Sequence, residues 1–243
     1  MSKKIFLKIF ILTLLMTMSC FWPAQSPRAQ DVSGNFILAW SSGSYVPANY
    51  QGKALPTRLS RVKVVVLPTK KLSQDPEKLY YRWLLDNEIA GKSGGQGKSA
   101  FNFWVTRWGG DYHEIESQIV DENENIIARN FISIPVVEAQ TLLWRPNSDY
   151  AAQDKITAKT GQQLNLFAAP LFFHIKNLAE LNFEWNFDGQ TLTSADQKDL
   201  NRFTLKIPAG TLTESLLRQL KLYVTHKVDQ FQQTLNDLTI EIK

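Results

Sequence analysis

Leu79-Tyr-Tyr-Arg-Trp83-Leu-Leu-Asp86-Asn87 decides the fold, because the chain writes it twice. The second version is Leu181-Asn-Phe-Glu-Trp185-Asn-Phe-Asp188-Gly189, 102 residues downstream. Side chains of a strand alternate between its two faces, so Tyr81, Trp83 and Leu85 share one face while Arg82 turns away. In the second stretch Phe183, Trp185 and Phe187 share a face, and Glu184 and Asn186 point outward. Each stretch ends in residues that tolerate a tight turn, Asp86-Asn87 and Asp188-Gly189. A large indole at the centre of one sheet, packed on a facing sheet, is the core arrangement of a β-sandwich.

Working outward, the same offset links Pro68 to Pro170, each closing an apolar run, Val64-Val-Val-Leu and Leu166-Phe-Ala-Ala. Strand, proline, tryptophan strand and turn acid at one constant spacing are the mark of an internal duplication. Short apolar alternations bounded by Gly, Pro, Asn and Asp predict strands throughout. The first set is Asn35–Trp40, Arg61–Leu67, Leu79–Leu85, Ala100–Val105, His113–Val120 and Ile126–Ile134. The second is Gln163–Ala168, Leu181–Phe187, Arg202–Ile207, Leu220–His226 and Thr234–Ile242. One helix of about two turns is expected at Thr213–Leu220, from the spacing of Leu216, Leu217 and Leu220. The predicted fold is therefore all-β, two tandem immunoglobulin-like sandwiches over 31–144 and 156–243, joined by a linker at 145–155.

The tryptophan strands resemble strand C of immunoglobulin-like domains of the polycystic-kidney-disease type, which carries a Y-x-W-x-F pattern. Gly110-Asp-Tyr112-His113-Glu-Ile115-Glu-Ser-Gln-Ile119-Val-Asp121 is similar to that family's later G-x-Y-x-V-x-L-x-V-x-D hairpin, with His113 displacing the register tyrosine. The family's W-D-F-G-D-G core is absent. The resemblance spans about residues 55–135 and 156–243. It implies a spacer, adhesion or assembly module of an exported bacterial protein rather than a catalyst.

Charge points the same way. The 243 residues hold 27 basic and 23 acidic side chains, for a net charge of +4. Residues 1–30 carry Lys3, Lys4, Lys8 and Arg28 and no acid. Removing those four from the 27 leaves 23 basic against 23 acidic side chains, so the body has no excess charge to draw it to nucleic acid. Positive Met1–Lys8 followed by the uncharged Ile9–Met18 reads as an export signal, too short to span a bilayer. Thr17-Met18-Ser19-Cys20 resembles a lipobox, which would lipidate Cys20. Cleavage within Ala24–Gln30 and retention as an anchor are the alternatives. Cys20 is the sole cysteine, so the body has no disulfide and contacts a membrane only through the leader or a lipid on Cys20.

Motifs for chemistry are sparse. Gly94-Gly-Gln-Gly97-Lys98-Ser99 ends like a phosphate-binding loop, but Lys92 stands where the first glycine belongs and a strand follows. It is read as a connecting loop. His113, His174 and His226 lack ligand spacing, and no metal or cofactor is expected. Asp121-Glu-Asn-Glu-Asn125 offers oxygen ligands to calcium, or is simply a polar hairpin tip. No G-x-S-x-G or other nucleophile signature occurs, so the chain is read as non-enzymatic. Phe101, Phe103 and Val105 alternate as a core face, which leaves Trp104 opposite and Trp108 in the next loop. Those two indoles are the candidate binding residues, for a glycan as the alternative to a surface protein. Trp144 is expected to anchor the linker, and Trp40, Tyr45 and Tyr50 to pad the first sandwich's edge.

Overall fold

The computed structural model describes residues 36–69, 75–146, 148, 151–192 and 200–243. The leader and Cys20 lie outside them. The first sandwich runs β1 (Phe36–Ser42), β2 (Arg61–Pro68), β3 (Tyr80–Leu85), β4 (Glu88–Ile89), β5 (Gly95–Gln96), β6 (Ala100–Trp104), β7 (Tyr112–Val120) and β8 (Ile126–Pro135). One sheet has the order β1-β2-β6 and the other β4-β3-β7-β8, with β5 added to β3. All its pairings are antiparallel.

The second sandwich runs β9 (Gln140–Trp144), β10 (Ala151–Ala152), β11 (Lys155–Ala158), β12 (Gln163–Leu171), β13 (Leu181–Phe187), β14 (Gln190–Leu192), β15 (Arg202–Lys206), β16 (Leu216–His226) and β17 (Gln233–Ile242). Its sheets are β10-β9-β12-β15 and β11-β17-β16-β13-β14. Leu166 and Phe203 of the first sheet join Trp185, Leu222 and Ile240 of the second in one buried cluster. The chain is thus all-β, two tandem immunoglobulin-like sandwiches, and each core is apolar surface removed from water between two sheets.

The duplication extends to individual contacts. Trp83 donates from Nε1 to the Lys98 carbonyl at 2.9 Å, and Trp185 to the Leu200 carbonyl at 3.2 Å. Trp83 stacks on Phe101 with ring centroids 5.5 Å apart, and Trp185 on Phe203 at 5.3 Å. Asp86 and Asp188 both take positive φ, 52° and 48°, which a short polar side chain tolerates. Each carboxylate accepts a backbone N–H from the neighbouring strand, Glu114 at 3.0 Å and Gln219 at 2.9 Å. Beyond β6 the spacing widens: Asn130 donates to the Phe36 carbonyl as Asn236 donates to that of Thr141.

Three expectations need correction. The helix at Thr213–Leu220 does not form, because Leu216–Leu220 pairs with Leu238–Ile242 as the start of β16. The linker at 145–155 is also misplaced. Gln140–Trp144 pairs with Phe167–Leu171, so the second sandwich begins at β9 and 145–155 is a crossing inside it. Trp144 is accordingly a strand residue of the second sandwich. Finally, Tyr45 and Tyr50 do not pad the first sandwich; both face the second.

The copies differ in one pairing that explains this. In the second, β11 runs parallel to β17, and the Lys243 N–H donates to the Ala158 carbonyl at 3.0 Å. In the first, the Val137 N–H donates to the Pro56 carbonyl at 2.9 Å, but the residue two before it is Pro135. Proline has no N–H to extend such a ladder. Without that strand, Tyr45, Thr57 and the Arg58 carbonyl of the 43–60 connection make their bonds to the second sandwich.

Candidate functional site

The junction is built from the 43–60 connection and the ends of β6 and β12. The Tyr45 N–H donates to the Phe173 carbonyl at 2.8 Å, and the Phe172 N–H returns to the Tyr45 carbonyl at 2.7 Å. The Thr57 hydroxyl donates to the Phe172 carbonyl at 2.8 Å. Phe172 sits at φ 66°, a left-handed conformation that costs a bulky residue about 1–3 kcal/mol. Its N–H and C=O are both held by the first sandwich, which fixes it there. Gln232 is buried and spans the same seam. Its amide donates to the Arg58 carbonyl at 3.0 Å and accepts from the His174 N–H at 2.6 Å.

Both candidate indoles lie at this seam. Phe101 and Phe103 are buried and Trp104 is 57% exposed, as alternation along β6 requires. Trp104 meets His174 edge-on with centroids 5.9 Å apart. Trp108, 49% exposed, meets Phe231 edge-on at 5.2 Å. The Arg58 guanidinium lies 4.4 Å from the Trp108 ring centre and 5.2 Å from that of Phe231. Cation–π attraction of this kind binds the two sandwiches through a shared arginine. Trp104 and Trp108 therefore stand at the same end of the first sandwich, both about half exposed, with the Arg58 guanidinium over one face of Trp108.

His174 is a titratable group at the seam. Its Nδ1 is buried and makes no hydrogen bond. Burial pushes the imidazole pKa down, with further lowering by nearby His226, and Glu180 and Asp229 oppose both. His226 instead uses Nδ1 to accept the N–H groups of Val228 and Asp229, at 3.0 and 2.9 Å.

A second cluster, at Asp86, is consumed by internal bonds. Buried His113 places Nδ1 2.8 Å from Asp86 Oδ2 and accepts from the Thr106 N–H at Nε2, which makes Nδ1 the protonated nitrogen. Arg107 bridges Asp86 at 3.3 Å and Asp111 at 3.0 Å. Burial raises the Asp86 pKa, but the Glu114 N–H, His113 and Arg107 outweigh it and hold the carboxyl below its ordinary value. This cluster closes the end of the first sandwich.

The two loop motifs are structural in form. Gly95 and Gly97 take positive φ, and β5 lies against Tyr80 and Tyr81. The Lys98 carbonyl there receives the Trp83 indole, and the strand β6 follows. At the hairpin tip, Asp121 Oδ1 accepts from the N–H groups of Asn123 and Asn125, at 2.9 and 2.8 Å. Its Oδ2 accepts from the Asn125 amide at 3.0 Å. Glu124 pairs with Arg82 at 3.3 Å. Among the described residues no group of three or more His, Cys, Asp or Glu is placed to hold a metal ion.

Arg58 and Phe231 belong to the junction and were not singled out by sequence reasoning, which weighed His174 only as a metal ligand. Phe231 carried a usable signal, an aromatic residue in the polar turn Lys227–Gln232, where it is largely exposed. Arg58 carried none, since its role depends on rings far away in sequence.

No protein-family profile matches this chain, and no curated protein matches it. Solved structures resemble it weakly. The three N-terminal domains of the bacteriophage RB49 Highly Immunogenic Outer Capsid protein align at 10% identity and a TM-score of 0.41, over 85% of this chain and 59% of that one. This chain thus spans about three-fifths of that structure's length. The fibronectin(III)-like modules of Clostridium thermocellum CbhA align at 11% identity and 0.27, over 85% and 94%. Sidekick-1 immunoglobulin domains 1–5 align at 13% and 0.28, over 85% and 41%.

Proposed function

We propose that this chain is an exported, non-enzymatic cell-surface or secreted module. Its two sandwiches serve protein contacts or spacing, at a mutual geometry fixed by the junction. The observation that carries the reading is the seam itself: the Tyr45, Thr57 and Gln232 bonds and the Arg58–Trp108–Phe231 stack lock one sandwich onto the next. A catalyst needs polar groups converging on a cleft, whereas here the Asp86–His113–Arg107 set is spent on closing a sandwich end. The tryptophan strands support kinship with polycystic-kidney-disease-type domains. The leader of 1–30, with Cys20 as its lipidation residue, supports export and membrane attachment.

A glycan is the second reading. What favours it is the half-open pair Trp104 and Trp108 at one end of the first sandwich, since exposed indoles offer flat apolar faces. Capture by in-cell cross-linking at the native surface, with the mature N-terminus read in the same sample, tests both readings. A specific protein partner is expected, with a start at lipid-modified Cys20 or at 25–31. Glycan-array binding lost in W104A/W108A, with no specific protein partner, would transfer the assignment to glycans. An intact Met1 on soluble cytoplasmic protein would remove export.

A further inference from the structure

We propose that the groove between the 45–51 loop and the outer face of β9 and β12 binds an acidic oligosaccharide, a chain of pyranose rings bearing carboxylates. This site is separate from Trp104 and Trp108 and does not depend on the protein-contact reading.

The groove encloses about 580 Å³, within the range of about 300–1,000 Å³ typical of ligand sites. One wall is the sheet. Trp144 and Phe167 face each other across β9 and β12, on the side opposite buried Leu143 and Leu166. Because the Arg202 guanidinium lies 4.8 Å over the Phe167 ring, Trp144 is the ring this wall offers to a sugar. The other wall is Tyr45 and Tyr50 of the first sandwich. Asn49 and Gln51 supply amides, Asn201 donates an amide N–H to the Ala168 carbonyl at 3.1 Å, and Arg145 is the charged residue among the described lining residues. Aromatic faces suit the C–H faces of sugar rings, amides suit hydroxyls, and a guanidinium grips a carboxylate with two parallel hydrogen bonds. The Arg145 guanidinium selects an anionic sugar over a neutral one.

The walls are set in advance. Tyr45 is held by its two backbone bonds to Phe172 and Phe173. Tyr50 meets Phe172 edge-on with centroids 6.0 Å apart, and its ring lies so close over Gly52 that a β-carbon there would collide with it. The strained Phe172 backbone underlies both tyrosines, and strain of this kind concentrates at ligand-binding positions. Because each sandwich supplies one wall, the groove exists only in the tandem. A rigid cleft loses little freedom when a ligand enters, which favours affinity.

Calorimetric titration of the full chain with hexagalacturonate, against maltohexaose, a (dT)6 oligonucleotide and a proline-rich decapeptide, tests the assignment. Hexagalacturonate is expected to bind at least tenfold tighter than each of the other three, and to weaken as salt rises. R145Q should lower that affinity at least tenfold. N49A/Q51A should lower it severalfold, since these exposed positions leave the fold intact. W144F should bind better than W144A, with thermal unfolding confirming that each variant is folded. W104A/W108A should bind as the parent does. Absence of hexagalacturonate binding, equal binding of maltohexaose, the oligonucleotide or the decapeptide, indifference to R145Q, or loss of binding in W104A/W108A would each overturn it.

Discussion

Thr57 and Phe172, 115 residues apart, are joined by a buried hydrogen bond of 2.8 Å from the threonine hydroxyl to the phenylalanine carbonyl. The bond crosses from one sandwich to the other and ends on a residue held at φ 66°. A buried carbonyl left without a donor costs more than the bond itself is worth, so this link is disproportionately sensitive to substitution.

Thr57→Val keeps the shape and removes the donor. It should lower stability by about 1–3 kcal/mol in urea unfolding, whereas Thr57→Ser should stay within about 0.5 kcal/mol of the parent. Equal stability of the valine and serine variants would show that the seam does not rest on this bond.

Trp83→Ala and Trp185→Ala should each cost about 3–5 kcal/mol, the range for emptying a core of an aromatic ring. Hydrogen exchange should show each change loosening its own sandwich first. Trp→Phe at either position retains apolar volume but orphans the Lys98 or Leu200 carbonyl, and should cost about 1–3 kcal/mol.

His174 titrates below its ordinary value in the folded chain, for which burial is the first cause. The unfolded chain then binds the proton more readily, so stability falls as pH drops below about 6.5. Unfolding in urea at pH 7.5 and 5.5 should show this loss in the parent, and a smaller one in His174→Gln. The groups facing it, His226, Glu180 and Asp229, are unchanged in that comparison.

Asp86 shares the direction of that pH dependence, though here the fold favours the charged form rather than the neutral one. Burial raises its pKa, but its hydrogen bonds and Arg107 depress it further, so its contribution is present above about pH 4 and is lost as pH falls through the lower folded value. Between pH 5 and 2 the parent should lose more stability than Asp86→Asn. Parallel acid profiles would contradict the role given to Arg107 and His113.

The repeated strands were legible because alternation is local: Tyr81, Trp83 and Leu85 face inward whatever lies beyond the sheet. The same local signal misled at Leu216, Leu217 and Leu220, whose spacing suits a helix until β17 is there to pair with them. It was silent on Gln140–Trp144, a strand whose assignment depends on β12 of the second sandwich rather than on the chain before it.

What the sequence determined by itself was the pair of cores, since burying two alternating aromatic strands against facing sheets is a demand each repeat makes on its own residues. Only the tertiary structure decided where 43–60 would go. Pro135 lacks the N–H that a parallel strand on β8 would need, and Tyr45, Thr57 and the Arg58 carbonyl find hydrogen-bond partners more than a hundred residues away. Junction and groove follow from that choice, because their walls come from parts of the chain that no local pattern connects.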